Sequence, residues 1–276
     1  MKRNTIYIIA LILGFISCQN EKKETRETEI VIKKPTLSES KFIDLTHEFS
    51  EETIYWVNAK EFELDVVAKG PTEKGFFYAA NNFETAEHGG THIDAPIHFA
   101  EGKQSLEQVP LERLIGNAIK IDVSEKALAD RDYLITVDDF KDWEAKHFEI
   151  PETSIILLET GYSKFYPDKI KYLGTDQRGN EAIQFLHFPG LSPEAAQWLV
   201  ENRKISSIGI DTPSIDYGQS EYFESHVILM KENVPAFENL TNLNQLPETD
   251  FQIIALPMKI KGGSGGPLRI VAVLNQ

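Results

Sequence analysis

The segment from residue 88 to residue 98 restricts the fold more than any other part of this chain. It holds three of the seven histidines beside one aspartate, two adjacent glycines and a proline: His88, Gly89, Gly90, His92, Asp94, Pro96 and His98. The paired glycines disfavour a helix, and the proline ends a regular element. In an extended segment His92 and Asp94 share one face. Because imidazole and carboxylate are common zinc and manganese ligands, the segment predicts a metal site; the alternative is a solvated, histidine-rich loop.

The same segment is part of a longer signature. With Thr91 it reads His-x-Gly-Thr-His-x-Asp-x-Pro-x-His, which resembles the signature of the cyclase family, a group that includes bacterial kynurenine formamidases and isatin hydrolases. The resemblance runs from about Phe42 to the C terminus, through Asp-Leu-Thr at Asp44, Tyr55-Trp56, the run Gly-Ile-Asp-Thr-Pro-Ser-Ile-Asp from Gly209, Glu238-Asn239-Leu240 and Gly-Gly-Ser-Gly-Gly-Pro from Gly262. It implies a swivelling β/β/α fold with a central barrel-like mixed sheet, assembled into homo-oligomers.

Local patterns favour a mixture of strands and helices. Alternating or β-branched runs predict strands at 42–49, 61–68, 117–123, 154–159, 205–210, 251–256 and 268–274. Capping patterns at Thr136 and Ser192 predict two helices. These patterns alone are compatible with α/β and with α+β folds, and the family resemblance favours mixed α/β.

The resemblance also implies ligands that lie far along the chain. His88 and His92 correspond to ligands of a first metal, and Asp94 to a carboxylate that bridges two metals. His226 and Glu238 are twelve positions apart, as in the family, and correspond to a ligand of a second metal and a second bridging carboxylate. We expect zinc or manganese, and the presence of both distal residues favours two ions. Without the resemblance, His226 would be read as a packed helical histidine and Glu238 as a surface acid.

The predicted function is hydrolysis of a C–N bond in an amide, a cyclic amide or an aryl formamide. The resemblance implies that metal-activated water attacks the carbonyl carbon and that His98 is the acid/base rather than a ligand, a role that suits a pKa near neutrality. Two alternatives remain: a lactone or ester hydrolase with the same chemistry, and a catalytically inactive lipoprotein that binds a metal or ligand. The intact His98 argues against the second.

Several other residues have two possible roles. Asp211 and Asp216 either orient ligand histidines or cap the turn around Pro213. His187 lines the pocket or packs in a turn, and we expect His47 and His147 to be structural.

Aromatic residues and glycines are candidates for the substrate pocket. Trp56 corresponds to a tryptophan that contacts substrate in the family, and the cluster Phe76-Phe77-Tyr78 forms either a wall for a planar substrate or plain core. Gly262–Gly266 brings bare backbone close to the substrate or forms a mobile turn.

The N terminus has features of a bacterial lipoprotein. A basic start and an apolar run at 5–16, short for a bilayer span, precede Cys18, the only cysteine. Phe-Ile-Ser-Cys at 15–18 resembles a lipobox. We therefore predict a signal peptide at 1–17, a lipidated Cys18 with a flexible tether at 18–40, and a folded domain at 41–276 outside the cytoplasm. An uncleaved membrane anchor is the alternative.

The charge of the chain limits its partners. The formal net charge is −15 at pH 7, which disfavours nucleic acid and anionic lipid as binding partners. The expected partner is a small planar or aromatic molecule, with the membrane reached only through the lipid anchor.

Overall fold

The computed structural model describes residues 40–274. Its strands, β1 to β12 in chain order, are Lys41–Asp44, Glu63–Pro71, Phe77–Glu84, His92–Asp94, Ile115–Asp122, Leu134–Ile135, Ile155–Glu159, Gly190–Leu191, Ser207–Ile210, Ala236–Glu238, Phe251–Pro257 and Gly265–Leu274. Its α-helices, α1 to α5, are Ser124–Ala129, Val137–Lys146, Lys169–Tyr172, Pro193–Asn202 and Glu224–Lys231. The predicted signal peptide, Cys18 and all of the tether except Ser40 lie outside the described residues. Within them, no helix is both long and apolar enough to cross a membrane.

Seven strands close into a barrel. The neighbours in order are β12, β11, β5, β7, β9, β10 and β4, and β4 pairs back onto β12, while β1 pairs with β12 outside this ring. The run β5-β7-β9-β10 is parallel, and the other pairs in the ring are antiparallel. The prediction of a mixed α/β fold with a central barrel-like sheet is therefore confirmed.

The barrel strands separate two hydrophobic cores because successive side chains of a strand point to opposite faces. In β7, Ile155 and Leu157 belong to the core built from the barrel strands themselves. Ile156 and Leu158 belong to a second core, where helices α2, α4 and α5 pack with residues such as Leu199. These four of the five β7 side chains are fully buried. Each contributes about 1.5–3 kcal/mol through burial, so the barrel wall is rigidly held on both sides.

Strand β4 brings distant parts of the chain together. It pairs with β10, where His92 lies opposite Glu238, and with β12, where Asp94 lies opposite Gly265. All three residues of β4 are buried. Barrel closure therefore places the first part of the predicted site beside Glu238.

The hairpin of β2 and β3 differs from the predicted half-buried strand. The two strands pair only with each other, and nearly all of their residues are exposed. The register places Leu64 opposite Phe83 and Pro71 opposite Phe77 on one face. The alternating pattern of the sequence correctly indicated a strand. It could not show that the apolar face of the hairpin stays exposed among the described residues.

Candidate metal centre

Five side chains from four parts of the chain converge on one buried point. The ligand atoms of His88, His92 and Asp94 lie within 4.8 Å of one another, and so do those of Asp94, His226 and Glu238. Asp94 belongs to both groups and is 1% exposed, beside Glu238 at 3%. The expected proximity of the distal pair to Asp94 is present, while the ligand roles of the five residues stay predictions.

Hydrogen bonds on the outside of the cluster fix two of the imidazole rings. The Nδ1 of His92 lies 2.9 Å from the carbonyl oxygen of Gly90, and the Nδ1 of His226 lies 2.5 Å from Oδ2 of Asp216. Each Nδ1 faces an acceptor and must therefore carry the proton that it donates. Consequently the Nε2 lone pair of each ring points inward, as a metal ligand requires.

The third ring is fixed by a hydroxyl group. The Ser264 hydroxyl donates to Oε2 of Glu87 over 2.7 Å and lies 2.8 Å from Nε2 of His88. Because its single proton goes to the carboxylate, the hydroxyl accepts the proton of His88 Nε2. The Nδ1 lone pair of His88 then faces Oδ1 of Asp94 at 2.6 Å.

The inward atoms of the cluster are thus all acceptors. The Nε2 of His226 lies 3.0 Å from Oδ2 of Asp94 and 3.1 Å from Oε1 of Glu238. The Nε2 of His92 lies 3.2 Å from Oδ1 of Asp94 and 3.4 Å from Oε2 of Glu238. Facing lone pairs repel unless a cation or a proton lies between them. This donor set, nitrogen and carboxylate oxygen, fits a divalent transition ion or zinc.

The pKa shifts show how the cluster behaves when protons occupy it. Burial disfavours the charged form of His226, but hydrogen bonds to Asp216, Asp94 and Glu238 outweigh burial and raise its pKa well above the usual value. Burial also opposes the charge on Asp94, yet the neighbouring histidines hold its pKa well below the usual range. Burial and the charge of Asp94 raise the pKa of Glu238. A metal ion would displace the histidine protons, so metal binding would release protons here.

His98 faces the same cluster without joining it. It ends a single-turn 3-10 helix, Pro96–His98, and its ring stacks on His88 with centroids 3.8 Å apart. Its backbone nitrogen donates to the carbonyl oxygen of Ala95, but its imidazole ring has no hydrogen-bond partner among the described residues. Burial lowers its pKa to about 4, against the opposing charge of Asp94. This value is below the near-neutral one expected from the sequence, because the 3-10 helix carries the ring into the cavity, and it leaves His98 neutral at pH 7.

Comparison with known proteins decides the family. A family model described as "Putative cyclase" matches residues 43–217, which is more than half of the chain.

This chain belongs to the cyclase family.

Its relatives in that family are enzymes. It is 32% identical over 225 residues to an isatin hydrolase of Roseibium aggregatum, covering 79% of this chain and 82% of that protein. A kynurenine formamidase of Bacillus cereus is 26% identical over 236 residues, covering 84% of this chain and 97% of that protein. The solved structure of isatin hydrolase A from Labrenzia aggregata, bound to benzyl benzoate, matches with a TM-score of 0.78 and 30% identity over 86% of this chain and 94% of that one. The predicted family fold is confirmed.

The cavity beside the cluster in this cyclase-family chain has an aromatic wall. It measures about 250 Å³ and is lined by Tyr55, Trp56, Phe99 and Phe223; contact of Trp56 with a substrate stays a prediction. The ring of Phe223 lies 6.1 Å from Trp56 and 5.2 Å from Phe99. Sequence reasoning missed Phe99 and Phe223, although one follows His98 directly and the other precedes His226 by three residues. Their position next to site histidines was the available signal.

Two further candidates for the pocket of the cyclase-family chain lie outside the cavity. Phe76, Phe77 and Tyr78 lie at the exposed end of the β2–β3 hairpin, where Phe77 is 66% exposed, and they do not line the cavity. The glycine-rich run 262–266 is not among the residues that line the cavity. Gly265 pairs with β4, and a Cβ atom there would lie 2.5 Å from Cε1 of His88. The missing side chain makes room for the His88 ring.

The structure separates the roles that the sequence left open. Asp216 accepts hydrogen bonds from both the Nδ1 and the backbone nitrogen of His226, so it orients a site histidine. Asp211 instead accepts from Thr160 and Gly161 and holds a turn.

The remaining histidines of the cyclase-family chain lie away from the cavity. His187 pairs with Asp132 over 2.8 Å, and His147 pairs with Glu248. His47 stacks on Tyr166. None of the three lines the cavity, which agrees with the structural roles expected for His47 and His147.

Proposed function

We propose that this chain is a metal-dependent hydrolase that cleaves the C–N bond of a small aromatic amide, cyclic amide or aryl formamide. The observation that carries the proposal is a buried cluster whose inward atoms are all acceptors, which opens on an aromatic cavity beside an unpartnered histidine. The relatives named isatin hydrolase and kynurenine formamidase support the same class of reaction. The small cavity and its rings favour a planar substrate.

The proposed site divides its work between ligands and a base. Zinc or manganese, expected as two ions, would be held by His88, His92, Asp94, His226 and Glu238. When bound, a divalent ion supplies Lewis acidity, polarising a carbonyl group and lowering the pKa of water. His98 takes the proton from the attacking water and returns it to the leaving nitrogen. A C–O bond forms and the C–N bond breaks, giving a carboxylate and an amine.

The aromatic wall positions the substrate for this attack. Trp56 and Phe223 enclose the planar part of the substrate, and Phe99 packs against His226 with ring centroids 4.5 Å apart. These side chains exclude bulk water from the bond to be cleaved, which strengthens every electrostatic interaction at the site.

The direct test compares the metal-free and reconstituted full-length protein. Chelator-treated protein is loaded with zinc or manganese and assayed by chromatography against isatin, N-formylkynurenine and an aryl lactone. We expect metal-dependent cleavage of at least one C–N substrate. Cleavage of the lactone alone would favour the ester hydrolase, and full metal loading without turnover on any of the three would contradict the proposal.

We also propose that the protein is a lipoprotein of the bacterial cell envelope, anchored through Cys18 and tethered by residues 18–40. The short apolar run that ends at the only cysteine supports this proposal. The variant Cys18→Ala should leave the membrane fraction or remain unprocessed. Membrane association of this variant with an intact N terminus would favour an uncleaved anchor.

A homo-oligomer is the proposed assembly, with the apolar face of the β2–β3 hairpin against a second copy of the chain. Four side chains on this face are each more than half exposed, namely Leu64, Val66, Phe77 and Phe83. An apolar patch of this kind on an acidic protein indicates a protein interface. The variant Phe77→Lys should lower the mass measured by light scattering, whereas Leu111→Lys, at another exposed apolar residue, should not. An unchanged mass for Phe77→Lys would exclude this face.

A further inference from the structure

Asn239 adopts an uncommon backbone conformation at the wall of the cavity. It directly follows Glu238, is 2% exposed and has φ of 54°. Residues other than glycine rarely occupy this left-handed region, although asparagine tolerates it best, and such conformations persist where the surroundings hold them. The side chain also lines the cavity. Its position next to a predicted ligand makes the direction of its amide group important.

Three hydrogen bonds hold Asn239 in place. Its backbone nitrogen donates to the carbonyl oxygen of Thr212 over 2.9 Å, and its backbone oxygen accepts from Thr91 Oγ1 over 2.7 Å. The hydroxyl of Tyr172 lies 2.9 Å from its side-chain Oδ1 and 3.2 Å from the carbonyl oxygen of Asp211, so the nearer Oδ1 is the main acceptor of its single proton. Tyr172 is fully buried, and burial raises its pKa well above the usual value, so this hydroxyl keeps its proton.

The amide nitrogen is left for a ligand. With Oδ1 turned to Tyr172, Nδ2 has no hydrogen-bond partner among the described residues. Among the described residues, three buried polar side-chain atoms have no partner: His47 Nε2, Gln104 Oε1 and Trp143 Nε1. The Nδ2 atom of Asn239 is not one of them, so it is not sealed from solvent. An open, unpartnered nitrogen on a side chain that lines the cavity is a donor directed at whatever binds there.

We propose that Nδ2 of Asn239 donates a hydrogen bond to the carbonyl oxygen of the scissile bond, and that Tyr172 is the positioning residue that sets its orientation. The inference rests on the proposed amide hydrolysis. As water attacks, the carbonyl oxygen gains negative charge, and a fixed donor stabilises that charge at no cost of reorganisation. A flipped amide would present Oδ1 to the same oxygen and repel it, which explains why the hydroxyl of Tyr172 matters.

The chain provides a matched control for the test. Asn242, three residues later, is also left-handed, with φ of 58°, and its amide donates to the carbonyl oxygen of Asp44, but it does not line the cavity. Asn239→Gly should keep the backbone shape and the metal content while kcat falls by about 10²- to 10³-fold, the usual loss of one such donor. Asn239→Asp, which removes the donor in an isosteric side chain, should lose at least as much. Asn242→Gly should leave kcat unchanged.

A double-mutant cycle separates positioning from general support. Tyr172→Phe should lower kcat in the wild-type background and have no further effect on kcat in Asn239→Gly, because the group that it orients is gone. Additive losses would mean that Tyr172 supports the structure in general. Binding of benzamide to the metal-loaded protein, measured by calorimetry, gives a readout without turnover, and Asn239→Gly should weaken it about tenfold, one hydrogen bond at about 1.4 kcal/mol.

The outcomes distinguish two failures. If the wild type cleaves an aromatic amide and Asn239→Gly matches it in kcat and benzamide affinity, the role of Asn239 is wrong and the proposed function stands. If the metal-loaded wild type neither cleaves aromatic amides nor binds benzamide, the proposed function fails, and the role of Asn239 fails with it.

Discussion

Two buried polar clusters in this molecule contrast in how they balance donors and acceptors. Lys120 and Glu159 are 5% and 6% exposed, and Nζ of the lysine lies 2.5 Å from Oε2 of the glutamate and donates also to the carbonyl oxygen of Leu243. In this pair the lysine donates to the carboxylate. In the metal centre, lone pairs of three histidines face the carboxylates of Asp94 and Glu238.

The difference shows that burial alone does not mark a functional site. In the lysine–glutamate pair a donor of one charge meets an acceptor of the opposite charge, so the pair needs no added cation. The metal centre is satisfied only when a cation or protons enter it. Counting donors against acceptors therefore separates a structural ion pair from a binding site, and variants of the two clusters should behave in opposite ways.

The largest effect is expected at His92, a predicted ligand of the metal centre. His92→Ala removes one lone pair from the cluster, so metal content, measured by elemental analysis, and turnover should fall together to background. The fold should survive, since one repelling acceptor is lost. A variant that keeps full metal content would remove His92 from the ligand set.

His98→Ala should separate turnover from metal binding. As an acid/base that does not bind the ion, His98 should contribute about 10²- to 10⁴-fold to kcat, or about 3–5 kcal/mol. The same preparations should keep nearly all of their metal. Loss of metal as complete as in His92→Ala would identify His98 as a ligand.

The lysine–glutamate pair should respond in stability rather than in metal content. Lys120→Met leaves the buried Glu159 carboxylate without its partner, which should lower the free energy of unfolding by about 3–5 kcal/mol in urea titrations. The double variant Lys120→Met/Glu159→Leu should recover most of that loss. Metal content should stay at the wild-type level in both, and a drop in metal content would show that the two clusters are coupled.

Asp216→Asn tests the hydrogen bond that orients His226 in the metal centre. The amide can still contact His226, but it no longer favours the required tautomer, so metal affinity or activity should fall by about 10- to 100-fold. Asp211→Asn is the matched comparison, because Asp211 holds a turn and touches no predicted ligand. Its effect should appear in thermal stability, with metal affinity unchanged; equal losses of metal affinity would reject the distinction.

His47 is a third case, because its buried Nε2 has no partner among the described residues. We expect the smallest effect here, a change in the pH dependence of stability. Burial lowers its pKa from 6.5 to about 4, so between these values the unfolded chain binds more protons and stability falls as pH falls. Between pH 7 and pH 5.5 this should cost about 1 kcal/mol. His47→Phe keeps a ring on Tyr166 and should show a flatter dependence; parallel curves would contradict the assignment.

A local sequence pattern was enough to group His92 and Asp94. The sequence indicated His226 and Glu238 only through the family resemblance. The segment around His92 and Asp94 has a local pattern that dictates a shared face. His226 and Glu238 meet it because barrel closure sets β10 beside β4, which no local pattern states. Asp211 and Asp216 look alike in sequence, and only the start of α5 distinguishes them.

The errors have the same physical origin. Phe77 and Phe223 are both aromatic residues near predicted elements, but one is exposed on a hairpin and the other lines the cavity. Which surface covers a side chain depends on tertiary packing, so periodicity indicates the element and leaves its neighbours undetermined.

Strand β4 closes the barrel and also carries two of the predicted ligands. A change in this three-residue strand would therefore disturb the hydrogen bonding of two neighbouring strands at once. The aromatic wall is different, because Phe99 and Phe223 lie on connections outside the ring. Substitutions in the aromatic wall can therefore change substrate preference while the predicted ligands on β4 stay in place. This architecture suits divergence in specificity with little change in chemistry.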